Sequence, residues 1–264
     1  MHKEGIDVVV VNYKTTSLLN NFIDSYNKSS FYEKDLFIVD NDPDENDVDI
    51  NKGLSKNAFY MYCAENIGYA KACNLASKIS KGFSNRKYIA FFNSDCVLLK
   101  DTLEKMYEGM ENNNLSIAGP LQYNRNYKVT AAGIFGSFKE RKDRGWRSAN
   151  LPMFRDMKKA VSISGSAYFI RRDVWEELSD CPIYKEIAPN AEGAFLPTRH
   201  YFEETWCSYH AQAHGYDVTY YGLAEMIHEW HKSSKVGGHV EKEIFPESKE
   251  LFVKACDMHS IEHD

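Results

Sequence analysis

KYIAFFNSDCVLL, residues 87–99, is the stretch from which the fold is read. An apolar, aromatic-rich run, Tyr88-Ile89-Ala90-Phe91-Phe92, stops abruptly at Asn93-Ser94-Asp95, and a second apolar run follows. A short run of this composition predicts a buried strand with Asn-Ser-Asp at its carboxyl end. In open α/β sheets, ligands bind outside the carboxyl ends of strands. Asn93 and Asp95 lie two apart on an extended chain and so share a side, where a carboxylate and a polar partner can hold a hard divalent cation. The same residues equally suit a turn ahead of a helix starting near Asp101. The tripeptide alone does not choose between the two.

Towards the amino terminus the same pattern recurs. Ile6 to Val11 is a near-continuous β-branched run, which predicts a central strand buried on both faces. Thr15 to Asn27 follows with Leu18, Leu19, Phe22, Ile23 and Tyr26 on one helical side, and Thr15, Thr16 and Ser17 are candidate caps. A second strand, Leu36 to Val39, ends in Asp40-Asn41-Asp42-Pro43 and an acidic loop to about Asn57. A third, Ala58 to Cys63, leads through Glu65-Asn66-Ile67-Gly68-Tyr69-Ala70 into a helix ending near Ser80, and another helix covers Asp101 to Asn112. Such alternation predicts a mainly parallel sheet with helices on both faces.

Four strand ends, NYK, DND, ENIG and NSD, would therefore line one crevice. There Asp40 can accept hydrogen bonds from a base or ribose, and Gly68 lets a phosphate or sugar approach the backbone. A turn residue before Pro43 and a simple helix entry are the plainer readings of these two.

The chain of 264 residues has room for one large domain or two small ones. Its net charge of −6 excludes a general attraction to nucleic-acid phosphates, though local basic clusters stay open. We expect no signal segment and no bilayer span. The cysteines Cys63, Cys73, Cys96, Cys181, Cys207 and Cys256 form no Cys-x-x-Cys pair. They predict reduced thiols in a cytoplasmic protein, neither a zinc site nor a disulfide framework.

Val9-Val10-Val11-Asn12-Tyr13, Ile38-Val39-Asp40-Asn41, Asn66-Ile67-Gly68-Tyr69-Ala70 and Phe92-Asn93-Ser94-Asp95, in that order, resemble the nucleotide-sugar half of family 2 glycosyltransferases. Asn-x-Asp in place of Asp-x-Asp is closest to the rhamnosyltransferase-like branch. The resemblance implies the GT-A fold, with a nucleotide-sugar half over residues 1–114, an acceptor and catalytic half over 115–240, and a helical extension over 241–264. It implies a donor site of Asn12, Tyr13, Asp40, Asn66, Gly68, Lys71, Asn93 and Asp95, with Asp95 as the main metal ligand and Asn93 as a sugar or ribose contact.

The second half carries further matches. Val161 to Arg171, VSISGSAYFIR, reads as two extended pieces hinged at Gly165 and followed by a helix from Asp173. A glycine there would leave room for a sugar ring or form a β-bulge. The resemblance places Gly165, Ser166 and Trp206 at the acceptor. A short strand is expected over Leu115 to Ile117, and KERKDRGWR, residues 139–147, reads as a solvated loop or a flap over the site.

His200-Tyr201-Phe202-Glu203-Glu204-Thr205-Trp206 opens a helix to about Gly215 and resembles the family's Phe-Glu-Asp segment. Glu204 then matches the base that deprotonates the acceptor, beside Glu203. Two carboxylates at a helix start also complement the helix dipole.

After a strand over Asp217 to Tyr221, His228-Glu229-Trp230-His231 is one residue too short for the His-Glu-x-x-His of zincins. The family instead carries a histidine here that helps bind the metal-diphosphate, matched by His228, with His231 a weaker candidate. Imidazole and carboxylate suit Mn²⁺ and tolerate Mg²⁺. His210 and His214, four apart on one helix, could pair on a metal or be two surface histidines. Lys232 to Gly238 reads as a basic loop able to close over phosphates.

The implied reaction is inverting transfer from a nucleoside-diphosphate sugar, UDP or dTDP first, to a glycan, a lipid-linked glycan or, less favoured, a modified DNA base. The protein would be cytoplasmic or peripheral at the membrane. A binding module without catalysis is the main rival. A sugar nucleotidyltransferase ranks below it, because the loop Asn12-Tyr13-Lys14-Thr15 lacks glycine.

Overall fold

Ile6, Val8, Val9 and Val10 have no solvent exposure, as a strand covered on both faces requires. They form the middle of β1 (Lys3–Asn12), which pairs in parallel with β2 (Lys34–Asp40) on one side and β4 (Arg86–Asn93) on the other. In the computed structural model, which describes residues 2–42, 58–229 and 241–263, β3 (Ala58–Tyr62) extends this parallel set beyond β2. The acidic loop before Asn57, His231 and the basic segment from Lys232 to Gly238 lie outside the described residues.

Registers place the strand ends side by side. Asn12 is opposite Asp40, and Val11 is opposite Asn93. Helices α1 (Thr16–Asn27) and α2 (Tyr69–Phe83) make the crossovers, so the expected parallel α/β half is present. The adjacent rings of Phe91 and Phe92 point to opposite faces. Phe91 packs with Trp175 and Phe195, whereas Phe92 packs with Phe22 and Phe169.

Beyond β4 the sheet changes direction. β5 (Cys96–Leu98) and α3 (Thr102–Asn113) lead to β6 (Ile117–Tyr123), which runs further than the short strand expected at Leu115 to Ile117. β7 (Val129–Ala131) pairs with β6, and β8 (Ile134–Gly136) and β9 (Arg141–Asp143) make a separate hairpin. The patch at 139–147 is therefore more than a solvated loop. Arg144 makes two hydrogen bonds to Asp156, at 2.6 and 3.1 Å, and lies over the rings of Phe135, Phe154 and Tyr220.

After β10 (Met157–Lys159), β11 (Ala167–Arg171) inserts antiparallel between β4 and β6. α4 (Arg172–Asp180), α5 (Pro182–Ile187) and α6 (Glu203–Ala213) precede β12 (Val218–His228). β12 was expected to end at Tyr221. It continues because an irregularity between Tyr221 and Glu225 lets the Gly222 N–H bond the Asp156 carbonyl at 2.8 Å, after which pairing resumes. α7 (Glu241–Met258) closes the chain. The sheet order is β10-β12-β6-β11-β4-β1-β2-β3, so one sheet runs unbroken through both halves. All six cysteines are buried thiols outside any disulfide.

At the sheet edge away from the strand ends, Asp7 of β1 and Arg172 of α4 form a buried ion pair, 0% and 1% exposed. Asp7 also accepts from the Ser84 hydroxyl at 2.6 Å and the Arg86 N–H at 3.2 Å, while Arg172 donates to the Arg86 carbonyl and Ser80 hydroxyl. Removing one partner strands a buried charge. Arg172→Ala should cost about 3–5 kcal/mol in denaturant unfolding. A loss below about 1 kcal/mol would show that the pair does not anchor α4 to the sheet.

Candidate active site

Where β1 and β2 end, Asn12 donates to Asp40 Oδ1 at 3.1 Å and accepts from the Thr15 hydroxyl at 2.8 Å. Thr15 in turn bonds the Ser94 hydroxyl at 2.8 Å, linking the first loop to the Asn-Ser-Asp step. Asp40 is fully buried, with the Asp42 N–H on Oδ1 and the Tyr60 hydroxyl on Oδ2. Its carboxylate thus organises the loops around it, a set of partners that single-strand reading does not reveal.

Asn66 accepts from the Gly68 N–H at 2.9 Å, and the Asn41 side chain donates to the Gly68 carbonyl at 3.2 Å. Gly68 has φ +85°, and a Cβ there would sit 2.9 Å from the Arg199 carbonyl oxygen. Both facts demand glycine. Lys71 is exposed on the first turn of α2, and Tyr13 is half-buried beside Lys14.

The antiparallel pairing of β5 with β12 sets His228 opposite Cys96, and the Glu229 N–H bonds the Asp95 carbonyl at 3.1 Å. That register brings His228 Nε2 to 3.4 Å from Asp95 Oδ1, both side chains nearly fully buried. Among the described residues, His228 Nδ1 is buried without a hydrogen-bond partner. Ligand atoms of Asp95, Cys96 and His228 lie within 4.8 Å of one another. The Cys96 thiol donates to the Ser166 carbonyl at 3.1 Å, and burial, reinforced by the Asp95 charge, pushes its pKa well above the thiol range. It stays protonated, leaving an oxygen–nitrogen pair that fits a hard or borderline divalent cation.

A cleft of about 390 Å³ opens beside this pair. Asn93, Gly165, Ser166, Glu203, Glu204 and His228 all line it, whereas Asn12, Tyr13, Asp40, Asn66, Gly68, Lys71, Asp95 and Trp206 are not among its lining residues. Glu204 lies against Gly165, where a Cβ would meet its carboxyl carbon at 3.1 Å. Burial raises the Glu204 pKa. The N–H groups of Glu204, Thr205 and Gly165 and the charge of Arg141 pull the other way. Glu203 turns inward, 4% exposed, and accepts from the Thr198 hydroxyl at 3.2 Å. Burial, then the neighbouring Glu204, push Glu203 up to about 8.

Tyr201 and Phe202, just before α6, both have left-handed backbones, φ +73° and +68°. Such residues cost of order 1–3 kcal/mol each and persist where surrounding structure over-determines them, commonly at functional sites. They line the cleft with Tyr69, Arg141, His200 and Phe245. Arg141 belongs to the patch read as a loop or flap, and Tyr69 and His200 to quoted motifs; Phe245 alone carried no sequence signal. Trp206 corrects an expectation: it has no exposure and stacks on Tyr184 and His210, behind the cleft wall. A helix turns an i+2 residue away from the face that carries residue i, so Trp206 cannot share the acceptor side with Glu204.

Solved structures share this architecture. GalNAc-T7, determined with UDP, GalNAc and Mn²⁺, superposes with a TM-score of 0.67 at 13% identity, over 99% of this chain and 55% of that one. S. aureus TarS residues 1–349 give a TM-score of 0.59 at 14% identity, over 95% of this chain and 65% of that one. The longer TarS structure gives 0.62 at 16%, over 95% and 39%. The chain spans less than two thirds of each of these proteins, and the likeness establishes the GT-A fold. Residues 7–178 match the model described as Glycosyl transferase family 2, and the chain belongs to that family. No curated protein matches it. The match ends before α6 and β12, so Glu203, Glu204 and His228 rest on the geometry above.

Because folding raises the Glu203 pKa from 4.5 to about 8, its stabilising contribution is complete below pH 4.5 and is lost as pH rises towards 8. Glu203→Gln stays neutral and should abolish that loss. Thermal unfolding from pH 5 to 9 tests this: the variant's Tm should hold against wild type as pH rises, whereas parallel curves would contradict a buried, protonated Glu203.

Proposed function

We propose that this chain is an inverting, metal-dependent glycosyltransferase that moves a sugar from a nucleoside-diphosphate donor to an acceptor hydroxyl. The observation carrying this reading is the Glu204 carboxylate, set against side-chain-free Gly165 in the cleft that also holds Asn93 and His228. The nucleoside sits against the loops that Asp40 organises, with Asn12, Tyr13, Asn66, Gly68 and Lys71 around it. UDP and dTDP sugars are the first candidates, from the resemblance of the Asn-x-Asp step to the rhamnosyltransferase-like branch.

Asp95 and His228 would hold Mn²⁺ or Mg²⁺, which as a Lewis acid supplies charge stabilisation for the leaving diphosphate. Glu204 accepts the acceptor hydroxyl proton as that oxygen attacks the anomeric carbon. The bond from that carbon to the diphosphate oxygen breaks on the opposite side, inverting the centre. A carboxyl whose pKa is raised by burial is a stronger base and is better matched to proton transfer near neutral pH. Gly165 and Ser166 border the space for the acceptor. Its class is a saccharide, free or lipid-linked, with a nucleic acid less favoured at net charge −6. Among the described residues no helix is long and apolar enough to cross a membrane.

Glu204→Gln should lower kcat by about 10²–10⁴-fold while leaving donor affinity intact. The rate should rise with pH through the base's ionisation, at a point above the ordinary Glu value of about 4.3. Near-normal turnover in the variant would remove Glu204 from the role. Titration of nucleotide sugars with Mn²⁺, Mg²⁺ or chelator tests the donor half: Asp95→Ala should lose metal-dependent binding. Donor binding without hydrolysis or transfer would favour a non-catalytic binding module.

A further inference from the structure

Behind the cleft, the far face of α6 meets the α4–α5 junction and the end of α7. Ligand atoms of Cys181, His210 and His214 lie within 4.8 Å of one another there, and His259 Nε2 is 3.7 Å from Cys181 Sγ. We propose that these four side chains form a zinc site, distinct from the Asp95–His228 pair.

His210 carries the argument. Its ring has no solvent exposure, yet among the described residues neither ring nitrogen has a hydrogen-bond partner. Leaving both nitrogens of a buried imidazole unsatisfied is unfavourable, and an ion within reach of one of them removes part of that cost. The rings of His214 and His259 approach His210 edge-on, with centroids 4.7 and 4.6 Å away, while Trp206 stacks at 4.8 Å. Burial and the two neighbouring histidines hold His210 neutral, the form that ligates a metal.

The surrounding groups orient the other ligands. His214 Nδ1 is 3.5 Å from a carboxylate oxygen of Glu177, and His259 Nδ1 is 3.2 Å from the Ala255 carbonyl. The His259 contact occupies Nδ1 and leaves Nε2 for the metal, and Glu177 stands where it could orient His214 in the manner of carboxylate–histidine–metal relays. One thiolate with imidazoles selects zinc over Mn²⁺ or Mg²⁺. Tetrahedral coordination places ligand atoms roughly 3.4–3.8 Å apart, a separation that Cys181 and His259 already have at 3.7 Å and towards which His210 and His214 would close. Zn²⁺ enters as the Cys181 thiol proton leaves to solvent. The ion would bolt α6, whose first turn carries Glu203 and Glu204, to the α4–α5 junction and the chain's last helix.

The test uses the full chain purified without chelator. Elemental analysis should find one zinc per chain, retained in Asp95→Ala. After zinc removal, Co²⁺ should produce a tetrahedral spectrum with a thiolate-to-metal charge-transfer band, absent in Cys181→Ser. His214→Ala, at a partly exposed position, should keep the fold by circular dichroism and weaken zinc binding by more than about tenfold. A folded wild-type chain that binds no zinc above background, or a thiolate band that survives in Cys181→Ser, would overturn the site.

Discussion

The seam where β11 runs antiparallel between β4 and β6 is the constraint on which the site depends. At its open end the Ser166 carbonyl accepts the Asn93 N–H at 3.2 Å and the Cys96 thiol, and the Ser166 hydroxyl donates to Gln122 of β6 at 2.6 Å. One residue thus fixes both sides of the Asn-Ser-Asp step and ties it to the second half. Tyr69, at the start of α2, completes the link by donating to the Gly165 carbonyl at 3.2 Å. Without β11, the loops around Asp40 and the helix bearing Glu204 would belong to two separately hinged layers.

Two adjacent glutamates at one helix start acquire different environments from this arrangement. Glu204 faces the cleft and is supported by three backbone N–H groups and the field of Arg141. Glu203, one residue earlier, also borders the cleft but accepts from Thr198, and burial and the neighbouring Glu204 displace it towards its neutral form. Two buried carboxylates in contact cannot both ionise cheaply, and asymmetry of burial decides which proton is held. The left-handed pair Tyr201–Phe202 sets the direction from which α6 enters, and hence how the two carboxylates meet the cleft.

Strands β1, β2 and β4 are legible because runs such as Val8 to Val11 and Tyr88 to Phe92 have no exposed face and no competing helical period. The crevice residues follow from them, since the carboxyl ends of parallel neighbours must converge. His228 is legible only through family resemblance, as its approach to Asp95 requires the β5–β12 register. What stays hidden is non-local. Two of the three donors to Asp40 come from residues 20 and 28 positions away. The continuation of β12 past Gly222 depends on the Asp156 carbonyl, and the burial of Trp206 depends on α5 and α7 packing against α6. The pair His210 and His214, open between metal and surface in sequence, resolves into one ring wholly buried and one partly exposed.

The last helix reaches back to the cleft through its aromatic rings. Phe245 packs on Tyr201 and Phe202 with centroids 5.7 and 5.1 Å away, and Phe252 stacks on Phe202 at 4.9 Å. The wall of the cleft is therefore shaped by residues some forty positions beyond the carboxylates, outside the 7–178 family match. Substitutions at Phe245 or Phe252 would alter the cavity's contour without touching the parallel half and its loops. The cavity's contour and the loops around Asp40 are thus held by separate parts of the chain.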